Sequence, residues 1–555
     1  MRSNDRLTIN FDDMKLSDLF LTLSLAVSAV ICVSCAPDRN AVEESLTVSP
    51  LEISVIPEGE TQKFTVKSNC SWTAACEPWM TLSSYSEPAS EATVTVALTV
   101  GKNSDAAPCT GKVIITLSTG TSRTITVTQE PFTAPKGIYN ATDIADMAIA
   151  LAAEEPDLSK WADNGKILLY ADVDVSSLEC FPIQQLPSGV EIDGQGHSLT
   201  LAISSSEPKV GMFKMLKGSV RNLNLLGTVS VTGELKSETH IGALAADAHG
   251  AMLENVNNHV AVTVDVTNAA KVCVIPGGLI GKAANGLTMT GCTNNADHSF
   301  TSVEAASGAY HMIGGLVGAY GSDSDEGVCT IKECSNLGNI ICKCGDKGNW
   351  NYAGGIISNT QSSVQSGDAA SYVMEDCTAS GDITLDGPAK TRVGGVTGRV
   401  NACNRITGCS YSGTISFNAA ALERNAGGIG SFQEKTCQGL VKDCVFSGKI
   451  VSAQGHEGKY FTGGIISSGC AASTVIDGCL TTGESYISNW KFGNIGMIIA
   501  QGGNALVVKN CRIAGTLNRA GEEIVLSASN YSPLYVGGTE AGSKTVVDPS
   551  CGFYQ

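Results

Sequence analysis

The fold of this chain is decided by a repeat whose most regular units begin Gly394-Gly395-Val396-Thr397, Gly427-Gly428-Ile429 and Gly463-Gly464-Ile465-Ile466. Further along each unit a cysteine follows a glycine or an acidic residue, as in Gly408-Cys409, Asp443-Cys444 and Gly478-Cys479. The interval from Cys409 to Cys444 is 35 residues, and the interval from Cys444 to Cys479 is the same. A regular period of this length indicates a solenoid, in which every unit buries its apolar face against the next.

The same two columns extend over residues 210–520. The glycine column also contains Val210-Gly211, Ile241-Gly242, Gly277-Gly278, Gly314-Gly315, Gly354-Gly355 and Gly496-Met497, and the second column contains Asn222-Leu223, Asn255-Val256, Gly291-Cys292, Glu333-Cys334, Asp376-Cys377 and Asn510-Cys511. A glycine and a third apolar segment usually follow, as in Gly413-Thr414-Ile415. Three short strands per unit predict a parallel β-helix, which the chirality of parallel crossovers makes right-handed. A β-propeller is the alternative, but its blades need four-stranded sheets and hairpin turns, which the sequence does not signal.

The cysteines of the second column are predicted to form a buried ladder of free thiols: Cys292, Cys334, Cys377, Cys409, Cys444, Cys479 and Cys511. Neighbouring strands lie roughly 4.8 Å apart, whereas the Cβ atoms of a disulfide need about 3.5–4.5 Å. A metal site needs converging ligands, and the close pair Cys342-Lys343-Cys344 has no histidine beside it. We therefore predict no metal and no cofactor.

The chain as a whole is predicted to be all-β. Residues 46–131 alternate apolar and polar side chains in short segments, which predicts a β-sandwich, and residues 132–140 form a linker. Asn140 or Thr142 is expected to cap a helix that runs to about Glu154, with the apolar stripe Ile144, Met147, Ala148 and Leu151. The helix and the first coils occupy residues 141–209, and residues 521–555 are expected to cap the far end.

Two resemblances refine these predictions. The set Ser71-Trp72, Trp79-Met80, Asn103, Gly111 and Val127-Thr128-Gln129 resembles the BACON module, which implies an immunoglobulin-like fold and proposes carbohydrate binding. Trp72 and Trp79 are therefore candidates for stacking on sugars, although core packing is the commoner role of such residues. Residues 137–520, with Ile192-Asp193-Gly194 and the glycine pairs, resemble the GLUG-type surface β-helix proteins, which implies adhesin-like binding.

The N-terminus resembles a bacterial lipoprotein signal. An apolar stretch, Leu19 to Val33, is followed by Ser34-Cys35, so residues 1–35 are predicted to end at a lipidated Cys35, with residues 36–45 as a tether. A transmembrane helix is the alternative, but a span needs roughly 20 residues, and this stretch has 15. The resemblance implies an outer-membrane or cell-surface protein that is attached to the membrane through lipid.

Composition narrows the classes of partner. The net charge is −18, and no cluster of Lys and Arg is present, which argues against nucleic acid. The expected partner is instead a polysaccharide or a host or bacterial surface glycoprotein. Trp350 and Tyr352 are the first candidates for ligand contact, because they flank a glycine pair in an unusually long unit.

An enzyme remains the alternative, since polysaccharide lyases and glycoside hydrolases also use β-helices. No Asp-Asp pair of the pectin-hydrolase type occurs in the repeat, and no catalytic residue is assigned. Asp323, Asp325 and Glu326 form the best acidic cluster, a weak candidate for Ca²⁺, although a solvated acidic turn is the commoner case.

Overall fold

The computed structural model shows a nearly all-β chain that divides into two compact units, Met1–Ala134 and Pro135–Gln555. It describes residues 43–268, 271–304, 308–322, 327–345, 348–362, 370–419, 421–432, 439–452, 459–467, 474–487, 492–502, 506–519, 522–539 and 545–555. The all-β prediction is confirmed.

The first unit consists of two sheets. Its strands are β1 (Leu46–Ser49), β2 (Glu52–Val55), β3 (Thr61–Ser68), β4 (Trp72–Cys76), β5 (Met80–Leu82), β6 (Ser86–Glu87), β7 (Ser90–Val100), β8 (Cys109–Leu117) and β9 (Ser122–Gln129). One sheet has the order β1-β3-β7-β5 and the other β2-β9-β8-β4-β6. Alternating residues from both sheets, among them Phe64, Val96, Val113 and Ile125, are buried in one core.

Two polar residues of this unit tie its loops together. Buried Asn103 donates hydrogen bonds from Nδ2 to the carbonyls of Ala107 (3.0 Å) and Glu130 (2.9 Å). Buried Gln129 donates from Nε2 to the carbonyl of Gly101 at 2.7 Å. Both side chains satisfy backbone acceptors that burial would otherwise leave unpaired, so their roles are structural.

The second unit begins with one helix, α1 (Ala141–Leu151). The Asn140 side chain accepts from the amides of Thr142 and Asp143, so Asn140 is the N-cap. The predicted apolar stripe is buried in the core that also contains the first coils. The helix was predicted to run to about Glu154, but it ends three residues earlier, at Leu151.

The strands of the remaining chain form five rows. Within a row, each strand pairs in parallel with the equivalent strand of the next coil. The first row consists of Lys209–Val210, Thr239–Gly242, Val274–Gly277, Tyr310–Gly314, Trp350–Gly354, Lys390–Gly394, Glu423–Gly427, Lys459–Gly463 and Phe492–Gly496. The second row consists of Ile183–Leu186, Phe213–Leu216, the starts of Ala245–Asn268 and Ile280–Thr290, then Val317–Tyr320, Ile357–Gln361, Thr397–Asn401, Gly430–Phe432, Ile499–Gly502 and Val536–Thr539.

The third row consists of Lys166–Leu168, Glu191–Asp193, parts of Ser219–Leu235, Ala245–Asn268 and Ile280–Thr290, then Cys329–Lys332, Tyr372–Glu375, Asn404–Thr407, Leu440–Lys442, Val475–Asp477, Val507–Lys509 and Val546–Val547. The fourth row includes parts of Ser219–Leu235 and Ala245–Asn268. It consists further of Thr293–Asn294, Ser335–Asn336, Thr378–Ala379, Ser410–Tyr411, Val445–Phe446, Leu480–Thr481, Arg512–Ile513 and Gly552–Phe553. The fifth row consists of Val173–Asp174, Ser198–Ser204, the ends of Ser219–Leu235 and Ala245–Asn268, then His298–Glu304, Ile340–Cys344, Ile383–Asp386, Thr414–Phe417, Lys449–Ser452, Glu484–Ile487 and Thr516–Arg519. Two strands pair antiparallel to these rows, Ala162–Asp163 with Lys166–Leu168 and Glu522–Val525 with Thr516–Arg519.

This arrangement agrees with the predicted parallel β-helix but corrects the expected three strands per unit. The glycine pairs lie at the corner between the first and second rows, where a side chain would meet backbone: a Cβ on Gly394 would lie 1.8 Å from the carbonyl oxygen of Thr397. The residue before each ladder cysteine lies at a second corner. The two motif columns therefore mark bends between strands rather than strands, and a regular unit contains five strand segments.

Two interior columns are built from polar or polarisable side chains. The seven ladder cysteines are all buried, as predicted, and each is a free thiol. In a neighbouring column Asn258 donates to Asn294 and Asn294 donates to Asn336, both at 2.7 Å, and all three are buried. Further along the same column Tyr411 stacks on Phe446, with 6.3 Å between ring centroids. The second column thus changes from amide hydrogen bonds to aromatic stacking along the coils.

Candidate ligand-binding groove

Trp350 and Tyr352 lie on one strand of the first row, and both line a surface depression. Their Cα partners on the preceding coil are Tyr310 and Met312, and Lys390 and Arg392 are the partners on the next coil. Since side chains alternate along a strand, the intervening Asn351 faces the interior, where it is buried. The two predicted residues therefore belong to one outward-facing surface that crosses several coils.

The three aromatic rings of this surface form a cluster. The Tyr310 and Tyr352 ring centroids are 6.0 Å apart, and the Trp350 and Tyr352 centroids are 6.1 Å apart. Tyr352 is only 4% exposed, whereas Tyr310 is 38% exposed and Trp350 is half-buried. Burial raises the pKa of Tyr352 to about 12, against the opposing effect of nearby arginines. Tyr352 is thus the floor of the cluster, and Tyr310 and Trp350 offer ring surface to a ligand.

Cationic side chains surround Trp350. The Lys390 ammonium is 5.4 Å from the centre of the Trp350 ring, and the Arg392 guanidinium is 5.2 Å from it. These distances suit cation–π attraction, which is worth about 0.5–1 kcal/mol at exposed sites.

Further cations lie beside the two tyrosines. The Arg399 guanidinium is 5.4 Å from the Tyr352 ring and donates to Asn359 Oδ1 at 3.1 Å. The Lys271 ammonium is 6.0 Å from the Tyr310 ring. Arg399 belongs to the second strand row, so the cluster spans the glycine corner between the two rows.

We call this surface the aromatic groove. It comprises two adjoining depressions of about 380 Å³ and 520 Å³ that share Tyr310, Met312 and Gln361. The smaller is lined in addition by Trp350, Tyr352, Arg392 and Arg399, and the larger by Glu238, Cys273, Ile275, Lys282, Ala319, Gly321, Ser322 and Asn359. The groove follows the coil axis and could accommodate an extended chain.

A charged network lies at the Glu238 end of the groove. His240 Nε2 contacts Glu238 Oε1 at 2.6 Å, and His240 Nδ1 contacts Asp247. Glu238 also accepts from Lys282 at 2.9 Å, and Lys209 lies 2.6 Å from Asp247. Both ring nitrogens of His240 are therefore engaged by carboxylates.

The carboxyl groups of this network are held ionised. Hydrogen bonds from His240 and then Lys282 lower the pKa of Glu238 to about 2, although burial opposes the shift. Burial favours a higher pKa for Asp247, but contacts with His240 and Lys209 outweigh it and lower that pKa. Both carboxylates of the network are thus engaged in ion pairs with His240 and with Lys282 or Lys209.

The other two predicted ligand contacts, Trp72 and Trp79, pack in or against the core of the first unit. Trp72 is 3% exposed in the core of the first unit, which leaves little ring surface for a sugar. Trp79 is half-buried against that core, and a Cβ on Gly111 would lie 2.6 Å from its ring. Five other aromatic residues of the second unit are buried in its interior and offer no ring surface to a ligand: Tyr320, Tyr372, Tyr411, Phe417 and Tyr460.

Four predicted residues lie outside the described part of the chain: Cys35, Asp323, Asp325 and Glu326. Within the described part, no group of three or more His, Cys, Asp or Glu side chains is arranged to hold a metal ion. In the same residues no helix has the length and hydropathy that crossing a membrane requires.

Sequence reasoning missed Arg392, Arg399, Lys390 and Lys271. A signal for two of them was present, because the residues four and two places before each glycine pair share the outward face. The first set is Tyr310, Trp350, Lys390, Glu423 and Lys459, and the second is Met312, Tyr352, Arg392, Asn425 and Phe461. Alignment on the glycine column would have placed Arg392 beside Tyr352.

Comparison with known proteins gives no family. No protein-family profile matches the chain, and no curated protein matches it. A Bacteroides ovatus GH5 xyloglucanase in complex with an XXXG heptasaccharide aligns at TM-score 0.16 and 12% identity, over 28% of this chain and 45% of that one. An IgA1 protease aligns at TM-score 0.29 and 13% identity, over 64% of this chain and 26% of that one. The chain therefore spans less than half of either structure, and neither likeness supports an argument about function.

Proposed function

We propose that this protein is a surface-displayed binding protein whose aromatic groove holds an extended glycan without cleaving it. The observation that carries the proposal is the ring surface of Tyr310 and Trp350, which lies over Tyr352 in a groove that crosses successive coils. The faces of such rings pack against the apolar faces of sugars, and the ring edges leave room for hydrogen bonds.

The polar residues of the groove suit the same ligand. Gln361 lines both depressions, and its side-chain amide can donate to and accept from sugar hydroxyls. Neighbouring coils repeat at roughly 4.8 Å, so a chain of sugars can meet a new set of side chains at regular steps.

A polysaccharide lyase or glycoside hydrolase is the second candidate function. It is favoured by one observation, the carboxylate of Glu238 facing the ammonium of Lys282 in the same groove. We rank it second because this carboxylate is held ionised by His240 and Lys282, and because the histidine is engaged at both nitrogens.

The remainder of the chain completes the proposal. We propose that residues 46–131 are an immunoglobulin-like BACON module that serves as a spacer, and that residues 137–520 form a right-handed β-helix of the GLUG type. Cys35 is proposed to attach the protein through lipid to the outer membrane or cell surface. The alternating strands, the glycine column and the sequence Ser34-Cys35 support these assignments.

Glycan binding by Trp350→Ala tests the proposal. Loss of one stacking ring is expected to cost about 0.5–1.5 kcal/mol, which lowers affinity roughly 2- to 13-fold. A glycan array identifies the ligand, and calorimetry then compares the variant with wild type. The control is Tyr554→Ala, which removes an aromatic ring that is 47% exposed outside the groove.

Two results would contradict the proposal. One is equal glycan affinity in wild type and Trp350→Ala, with only the melting temperature lowered. The other is the release of reducing ends or unsaturated products that Glu238→Gln or Lys282→Ala abolishes, which would establish the enzyme instead.

A further inference from the structure

We infer that the ligand of the aromatic groove is an acidic polysaccharide, with carboxylate or sulfate groups that Arg392, Arg399 and Lys390 recognise. This inference rests on the proposed function and names the class of glycan. It starts from the position of the cations: four lie within 6.0 Å of the three groove rings.

The local charge is opposite to the charge of the whole chain. The protein carries a net charge of −18, and an evenly mixed surface would therefore expose mostly carboxylates. The described residues that line the smaller depression include two arginines and no carboxylate. In the larger depression the carboxylate of Glu238 is paired with Lys282 and His240. The Trp350 end of the groove thus concentrates positive charge.

The arginines come from two directions. Arg392 is on the first strand row, where its Cα partners are Tyr352 and Asn425. Arg399 is on the second row, where its Cα partners are Asn359 and Ser431. The corner between the rows is formed by Gly394-Gly395, and both guanidinium groups reach the same aromatic cluster across it. An anionic group above Tyr352 would have a cation on either side.

Stacking does not prevent these arginines from binding an anion. A guanidinium offers its face to a ring, whereas its five N–H donors lie in its plane. The same group can therefore stack on Trp350 or Tyr352 and still form the paired hydrogen bonds that carboxylate and sulfate accept. A sugar that carries such a group would place its ring on Trp350 and its charge beside Arg392.

The experiment compares polysaccharides that differ only in charge. One pair is polygalacturonate and its methyl-esterified form, and the other is dextran sulfate and dextran. Calorimetry at low and high salt is done on wild type, Arg392→Gln, Arg399→Gln, Lys390→Gln and Trp350→Ala. Lys343→Gln, which removes an exposed cation from a fifth-row strand, is the control.

We expect at least one acidic polymer to bind roughly tenfold or more tightly than its neutral partner, with an advantage that shrinks as salt rises. Each arginine variant should lose roughly tenfold in affinity for the acidic polymer, since a hydrogen bond to a charged group is lost, and its loss for the neutral polymer should be several times smaller. Lys343→Gln should behave as wild type. The pair that shows the advantage distinguishes carboxylate from sulfate.

The outcomes separate the two claims. Equal, salt-independent binding of acidic and neutral polymers would overturn this inference and leave glycan binding standing, provided that Trp350→Ala weakens both. Binding of no glycan would overturn the proposed function as well. Equal competition by polyglutamate would show that the groove selects charge without sugar. If an arginine variant unfolds, Lys390→Gln still tests the inference. This variant must then lose affinity for the acidic polymer, and unchanged affinity would overturn the inference.

Discussion

At the scale of single residues, the column before the cysteines has a conformational cause. The residue at this corner has a positive φ of 50–66° in nine successive coils, which is the left-handed region. Its occupants are Asn222, Asn255, Gly291, Glu333, Asp376, Gly408, Asp443, Gly478 and Asn510. Glycine, Asn and Asp tolerate this region, whereas most side chains are penalised by about 1–2 kcal/mol. The motif is therefore a requirement of the bend, and only Glu333 departs from the tolerant residue types.

We expect the buried His298 to make the stability of the second unit depend on pH. His298 Nδ1 accepts from the Val262 amide and Nε2 donates to the Gly315 carbonyl, both at 3.3 Å, so the ring is held neutral. Burial lowers its pKa to about 4, although the Gly315 carbonyl and the charge of Asp297 oppose the shift. In the unfolded chain the pKa is about 6.5.

The sign of the effect follows from these two values. Between about pH 6.5 and pH 4 the unfolded chain binds a proton that the folded chain does not, so stability is complete above pH 6.5 and falls as pH decreases. The loss reaches about 3 kcal/mol at pH 4. Denaturant unfolding between pH 7 and pH 5 measures how the free energy of unfolding depends on pH. His298→Gln should reduce this dependence, whereas His259→Gln, at an exposed histidine, should leave it unchanged. An unchanged slope in His298→Gln would show that other groups cause the dependence.

At the scale of strands and coils, much of the fold could be predicted from the sequence because one coil repeats the contacts of the next. Spacing alone predicts a solenoid, buried cysteines and the helix stripe. The number of strands per coil could not be predicted, since Gly394 and Gly408 mark corners, and a glycine is compatible with a strand or a bend. The site was predicted in part: Trp350 and Tyr352 were identified by the long unit, whereas Arg399 is on another strand row, and only the corner brings it to Tyr352.

The cysteine ladder is an element of the interior that should resist thiol reagents. Each ladder thiol is at most 1% exposed and donates to a main-chain carbonyl oxygen, as Cys409 does to Thr407 at 3.4 Å. The neighbouring thiols of Cys377 and Cys444, together with burial, place the pKa of Cys409 well above its ordinary value. The thiolate is the reactive form, so the raised pKa adds to the protection of Cys409. The pKa values of Cys334 and Cys444 are instead lowered by their neighbouring thiols, so the protection expected for the ladder as a whole rests on burial.

Thiol labelling followed by mass spectrometry measures this. We expect Cys292, Cys334, Cys377, Cys409, Cys444, Cys479 and Cys511 to remain unlabelled in the folded protein and to label fully in denaturant without reductant. Half-buried Cys109 and Cys180 serve as internal controls for reagent access. If the ladder residues label in denaturant only after reduction, they are disulfide-bonded, and the argument from rung spacing is wrong.

At the scale of the whole molecule, the proposed function requires both the aromatic groove and a means of holding the protein at the cell surface. The proposed attachment is a lipid on Cys35, and it rests on the sequence before residue 43. Ser34 places a small side chain before Cys35, whereas Cys32 follows bulky Ile31. We therefore expect acylation at Cys35 and not at Cys32.

Cys35→Ala should abolish incorporation of labelled palmitate and move the protein from the membrane fraction to the soluble fraction. Cys32→Ala is the matched control, because it removes a neighbouring thiol from the same apolar segment and should leave acylation and fractionation unchanged. Glycan affinity of the released Cys35→Ala protein should equal that of wild type, since the groove residues lie beyond residue 209. A Cys35→Ala protein that still incorporates palmitate and remains with membranes would show that Cys35 is not the acylated residue.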